Sequence, residues 1–174
     1  MSEADDIRTA IERNVKAVSL RPGIGQGTAR SVATLRPGLA CQVVDGSHTI
    51  SVAMTEKYGG TGAAPNPGVF GRAAVASCLS IGLSMWAARL GIVLTRLEVT
   101  VEAGYDVRGE LGVSEEVRPG YLAMRYHIAV ESPSPEAEVR RWLEIGTRTS
   151  SWLDNLANPV PLSGTIEIRG SEKV

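Results

Sequence analysis

Residues 58–94 read YGGTGAAPNPGVFGRAAVASCLSIGLSMWAARLGIVL, and this stretch decides the fold. A glycine-rich loop runs into Pro65-Asn66-Pro67. Pro67 suits the first helical position, because the N–H it lacks would have no partner there. The helix that follows, starting near Val69, carries no charge between Arg72 and Arg89. Ala73, Ala74, Ala76, Ser77, Ser80, Gly82 and Ser84 are small, so every face is apolar or small, and such a helix is predicted to be buried. The uncharged run falls short of the roughly 20 residues a membrane span requires, so protein and not lipid is expected around it. Cys78 stands at its middle, and Gly91 closes it with the left-handed cap that glycine accepts.

Outward from this helix the periodicity changes. Upstream, Ile7, Ala10, Ile11, Val15 and Val18 recur at helical spacing over residues 1–20, with Ser2 as N-cap and Asp5 and Asp6 in the first turn. Thr28 to Leu35 is predicted as a strand, Arg36-Pro37-Gly38 as a turn, and Leu39 to Val44 as a second strand. Asp45-Gly46 supplies a tight hairpin, and Ile50, Val52 and Met54 return. Downstream, Leu97, Val99 and Val101 alternate with charged or polar residues. Tyr105 to Gly120 is a polar, glycine-punctuated loop, after which Leu122, Met124, Tyr126, Ile128 and Val130 alternate again. Ser134-Pro135-Glu136 is predicted to cap a helix whose stripe is Val139, Trp142, Leu143, Gly146, Leu153 and Leu156, with a break near Thr149 to Ser151. Leu162, Ile166 and Ile168 mark an expected last strand.

Segregated strands and helices argue for an α+β fold with a mainly antiparallel sheet, one domain over residues 1–174 whose core spans 28–169. At 174 residues, with 43% hydrophobic and 21% charged, the chain can build a sizeable core and is not disordered. A net charge of −1 and 5% aromatics give no footprint for nucleic acid. The acidic amino terminus has no apolar signal region, and two cysteines are too few for a disulfide framework, so a cytoplasmic location is expected. One sheet covers only one side of an all-round apolar helix, so a homodimer built around it is expected.

Gly59-Gly60, Pro65-Asn66-Pro67, the segment Ala73 to Cys78, then Gly91-Ile92 leading into Leu97-Glu98-Val99-Thr100-Val101 resemble the OsmC-like proteins, the osmotically inducible and organic hydroperoxide resistance group. The likeness runs from about Arg30 to Ile168. It implies an OsmC-like intertwined homodimer whose sheets wrap two long buried central helices. In active members it also implies a thiol peroxidase that acts on an organic hydroperoxide. There a helix cysteine attacks the peroxide, an arginine from an early loop stabilises the thiolate, a glutamate holds the arginine, and a second cysteine resolves the sulfenic acid. Cys78 matches the reactive cysteine, and Arg36 the arginine, with Arg30 a second candidate. Gly68 stands where the glutamate would be, and Ser150 where the resolving cysteine would be.

Each residue also has a plainer reading. A cysteine on an apolar helix is commonly a small buried hydrophobe with a raised pKa. Cys41 fits a half-buried strand, and it could resolve Cys78 only within disulfide reach. Arg36 before Pro37 fits a solvated turn. His48 and His127 have no companions at ligand spacing, so neither a metal nor any other cofactor is expected. Gly59-Gly60-Thr61-Gly62 lacks the lysine of a phosphate-binding loop. Two functions stay open. One is a one-cysteine hydroperoxide reductase, weakened or inactive, that an external thiol regenerates. The other is a non-catalytic stress-response dimer that binds a small ligand in a cleft lined by Phe70, Met85 and Trp86.

Overall fold

The structure, a computed structural model, describes residues 2–170. The chain begins with α1 (Glu3–Leu20), whose N-cap Ser2 and N3 residue Asp5 form a reciprocal capping box. An antiparallel meander follows, ordered β1 (Ser31–Arg36), β2 (Ala40–Asp45) and β3 (His48–Ala53). Its first strand starts three residues later than Thr28, the predicted start, and ends on Arg36 instead of before it. The β2–β3 turn is Gly46-Ser47, because Asp45 still pairs with His48 across the strands. Only Gly46 of the two has positive φ, at 54°, as a hairpin with glycine in its first central position requires. Most of the meander is open: β1 is exposed throughout, and within the three strands only Val52 and Ala53 are buried.

The central helix α2 runs from Pro67 to Leu90. Asn66 caps it by accepting the Val69 N–H on Oδ1 at 3.2 Å, and Gly91 ends it at φ 72°. Its serines suit an apolar setting because they satisfy themselves: Ser77 and Ser80 donate to the carbonyls of Ala73 and Ala76 at 2.7 and 2.9 Å. Burial on every side is not what a single chain shows. Val75, Leu79, Leu83, Ala87 and Ala88 are buried, while Ile81 and Met85 keep 61% and 43% of their surface. One face packs on α1 and on the later segments Arg96–Gly104, Glu136–Arg148 and Ser151–Ala157, while Ile81 and Met85 lie on the face left open among the described residues. With 24 residues and a mean hydropathy of 1.4 over an 18-residue window, α2 also has the length and composition to cross a membrane, but its buried stripe packs on protein.

After α2, β4 (Arg96–Gly104) and β5 (Ala123–Glu131) form a separate antiparallel pair in which Arg96 faces Glu131. Leu97, Val99 and Val101 turn toward the core, as their alternation predicts. The loop between these strands holds the short α3 (Val107–Glu110). The chain then forms α4 (Glu136–Arg148) and α5 (Ser151–Ala157), with the predicted break between them. Leu83, Ala87, Ile92 and Trp142 form the core, and Leu97, Ile128 and Val130 pack against it. Trp142 is fully buried because its indole N–H has a partner, the Leu83 carbonyl at 2.8 Å. Gly146 lets α4 approach α2, since a Cβ there would stand 2.5 Å from Leu83 Cδ2.

Two further expectations fail. Ser134 does not cap α4; its hydroxyl accepts the Val93 N–H at 3.0 Å, and Pro135 is the N-cap with no side-chain bond. No strand forms after Asn158 among the described residues, and Leu162, Ile166 and Ile168 are 97%, 90% and 90% exposed. Period-two spacing shows that a segment has an apolar face to bury, but it does not place the strand edge in the same chain.

Candidate functional site at Cys78

Cys78 faces the break between α4 and α5. Arg148 ends one helix and Ser150 starts the next, capping α5 by accepting the Leu153 N–H at 3.4 Å. The cap is buried, with 7% of Ser150 exposed. Cys78 Sγ therefore lies against a helix start, 3.6 Å from Ser150 Oγ and 3.6 Å from Ser151 Oγ. Burial pushes the thiol pKa up, but the Trp152 N–H, the hydroxyls of Ser151 and Ser150 and the Ser151 N–H pull it further down. The net shift is below an ordinary cysteine, because donors to the charged form favour it. No guanidinium is among these groups.

The partly buried sulfur opens onto a groove of about 560 Å3 whose walls include Ile81, Met85, Trp86, Thr149 and Trp152. Trp86 is anchored at its edge, where Nε1 donates to Thr149 Oγ1 at 2.7 Å. A partly exposed thiolate in an apolar groove can act as a nucleophile, and the walls can hold the apolar part of whatever it meets.

The residues singled out from the sequence are only partly together. Met85 and Trp86 line the groove with Cys78 and Ser150, while Phe70 does not. Arg36 is exposed at the end of β1, where its Nη2 donates to Gln42 Oε1 at 3.0 Å. Arg30 is exposed in the loop before β1. Cys41 is partly buried on β2, opposite Leu35 and Val52, and is not part of the groove. Gly68 lies in a separate cleft with Arg72 and Tyr121. A Cβ at Gly68 would stand 3.3 Å from Asn66 Oδ1 and 3.5 Å from both Arg72 Nη1 and Tyr121 Oη, so Arg72 and Tyr121 are the donors beside that position. Sequence reasoning missed Ser151, Trp152 and Thr149. Their signal was the hydroxyl run Thr147 to Ser151 at a helix break, where side-chain oxygens and free N–H groups gather. Among the described residues no three of His, Cys, Asp and Glu cluster as metal ligands.

A family model described as OsmC-like protein matches residues 60–164. No curated protein matches the chain. Among solved structures, an OsmC-like protein from Mycoplasma pneumoniae superposes with a TM-score of 0.65 at 13% identity, covering 77% of this chain and 90% of that one. An organic hydroperoxide resistance protein from Elizabethkingia anophelis gives 0.55 at 17% identity, covering 77% and 91%. The organic hydroperoxide resistance protein OsmC from Legionella pneumophila gives 0.53 at 18%, covering 75% and 89%. At these identities the likeness concerns the fold.

Proposed function

The chain belongs to the OsmC-like family, and from that premise we propose that it is a one-cysteine organic hydroperoxide reductase. The observation that carries this is the Cys78 thiol, its pKa lowered, open to an apolar groove with two hydroxyls 3.6 Å from its sulfur. In the proposed reaction the thiolate attacks the terminal oxygen of a hydroperoxide. The S–O bond forms as the O–O bond breaks, the alkoxide leaves and takes a proton as the alcohol, and Cys78 becomes a sulfenic acid. An external thiol displaces water to give a mixed disulfide, and a second thiol releases Cys78 as the low-molecular-weight disulfide departs. Ser150 cannot form a disulfide, so regeneration from outside is part of the proposal.

The working unit in this reading is a homodimer in the cytoplasm. Three features support the dimer: the uncovered face of α2 at Ile81 and Met85, the open meander, and the exposed apolar residues after Asn158. Within one chain Arg36 is held by Gln42. The thiolate then rests on neutral donors, and Arg36 acts on it only as a residue of the second subunit.

A second reading, a binding protein without peroxidase chemistry, draws on Gly68 and Ser150, where the family's glutamate and resolving cysteine are absent. Intact-mass analysis after cumene hydroperoxide, with a sulfenic-acid trap, separates the two. A trapped adduct that disappears in Cys78→Ser and forms slowly in Arg36→Ala is the expected result. Absence of an adduct in the wild type, with Cys78 also slow toward alkylating agents, would reject the peroxidase and leave the binding protein.

A further inference from the structure

We infer that Trp86 determines which molecules reach Cys78, and that the amino-terminal helix fixes Trp86 through Glu12 and Arg89. This rests on reading the Cys78 groove as the place where substrate docks. On α2, Trp86 lies eight residues after Cys78, about 12 Å along the axis at 1.5 Å per residue. Both residues line the same groove. The indole is held on two sides. Its Nε1 donates to Thr149 Oγ1 at 2.7 Å, and that hydroxyl in turn donates to the Ile145 carbonyl at 2.9 Å. The Arg89 guanidinium lies over the ring, 4.3 Å from its centroid. Arg89 is itself tied down, because its Nε donates to Glu12 Oε1 at 3.2 Å.

These contacts form one continuous path. It starts on α1, which precedes residues 60–164, the segment shared with the family model. Glu12 orients the guanidinium, the guanidinium covers the indole face, and the indole edge is pinned beside the Ser150 cap. A cation lying on one face of a tryptophan hinders the ring from turning about its side-chain bonds. The groove wall is then rigid where a bulky apolar group would rest, while a small reagent reaches the sulfur without touching it. Trp86 is thus the residue that sets specificity, and Glu12 and Arg89 are positioning residues.

The test compares alkylation of Cys78 by iodoacetamide, which is small, with alkylation by N-(1-pyrenyl)maleimide, which is bulky and apolar. Rates are read by mass at the Cys78 peptide of the full chain, so neither Cys41 nor peroxidase turnover enters the result. Glu12→Gln and Arg89→Gln are expected to lower the pyrenyl-to-iodoacetamide rate ratio by about three- to tenfold, the range one stacked cation and one partly exposed ion pair support. Arg89→Lys, which keeps a cation for Glu12 but not the broad guanidinium over the ring, should recover part of the ratio. Trp86→Phe keeps the stacked ring and loses the bond to Thr149, so it should lower the ratio in the same direction. An unchanged ratio, or equal slowing of both reagents, overturns the inference, because a merely structural role would not discriminate by size. If cumene hydroperoxide leaves Cys78 unmodified while the ratio still changes as expected, the peroxidase reading fails and the specificity wall stands.

Discussion

The hydroxyl oxygen of Ser150 lies 3.6 Å from the sulfur of Cys78, joining the middle of α2 to the start of α5 across 72 residues of chain. A cysteine at that position would bring its sulfur to the same place, and a small closure completes a disulfide. Ser150→Cys is therefore expected to form an internal disulfide with Cys78 on mild oxidation. Intact mass and the loss of alkylatable Cys78 check this. Before oxidation the variant should be less stable by about 1 kcal/mol, because the serine also caps α5. Two free thiols persisting in oxidant would contradict the geometry.

The lowered pKa of Cys78 sets the direction of its pH dependence. The thiolate is the nucleophile, so the alkylation rate should rise with pH through a midpoint lower than that of a cysteine lacking these donors. Ser151→Ala removes a donor to the charged form, so the midpoint should move up and the rate at neutral pH should fall. The same shift favours the folded state above the pH where an unfolded cysteine ionises. That contribution disappears as pH falls through the Cys78 pKa. A midpoint unmoved by Ser151→Ala would remove the hydroxyl from this account.

Trp142 and Gly146 test the packing of α4 on α2. Trp142→Ala empties the largest fully buried site and should cost about 3–5 kcal/mol. Gly146→Ala pushes a methyl against Leu83 and should cost about 1–3 kcal/mol. Chemical denaturation measures both. Values near zero would mean that the two helices separate without loss.

The uncovered face of α2 makes a prediction about assembly. Sedimentation at low micromolar concentration should give twice the chain mass, and Ile81→Asp, which places a charge on the exposed apolar face, should shift the protein toward monomer. A wild-type monomer that stays folded would overturn the proposed dimer.

What the sequence made legible was local chemistry. Ser2 and Gly91 cap their helices as side chain and backbone freedom require, and Pro67 opens α2. The alternation through Leu97, Val99 and Val101 marked both the strand and its half-buried face. Partners were the illegible part. Ser134 looked like a cap until Val93, a distant residue in sequence, took its hydroxyl. Leu162, Ile166 and Ile168 stay exposed, because spacing marks an apolar segment without naming anything that covers it. At the site, Cys78 and Ser150 could be aligned by family likeness, and the structure places them side by side. Ser151 and the path from Glu12 to Trp86 depend on how helices cross, which no pattern within one helix contains.

Val160, Leu162, Ile166 and Ile168 are 61%, 97%, 90% and 90% exposed after the chain leaves α5. An apolar segment open to solvent meets the apolar surface of another chain as readily as that of its own. Concentration therefore governs how much of this surface stays bare: a dilute solution leaves it open, and a crowded one favours covering it, in an ordered assembly or in an aggregate.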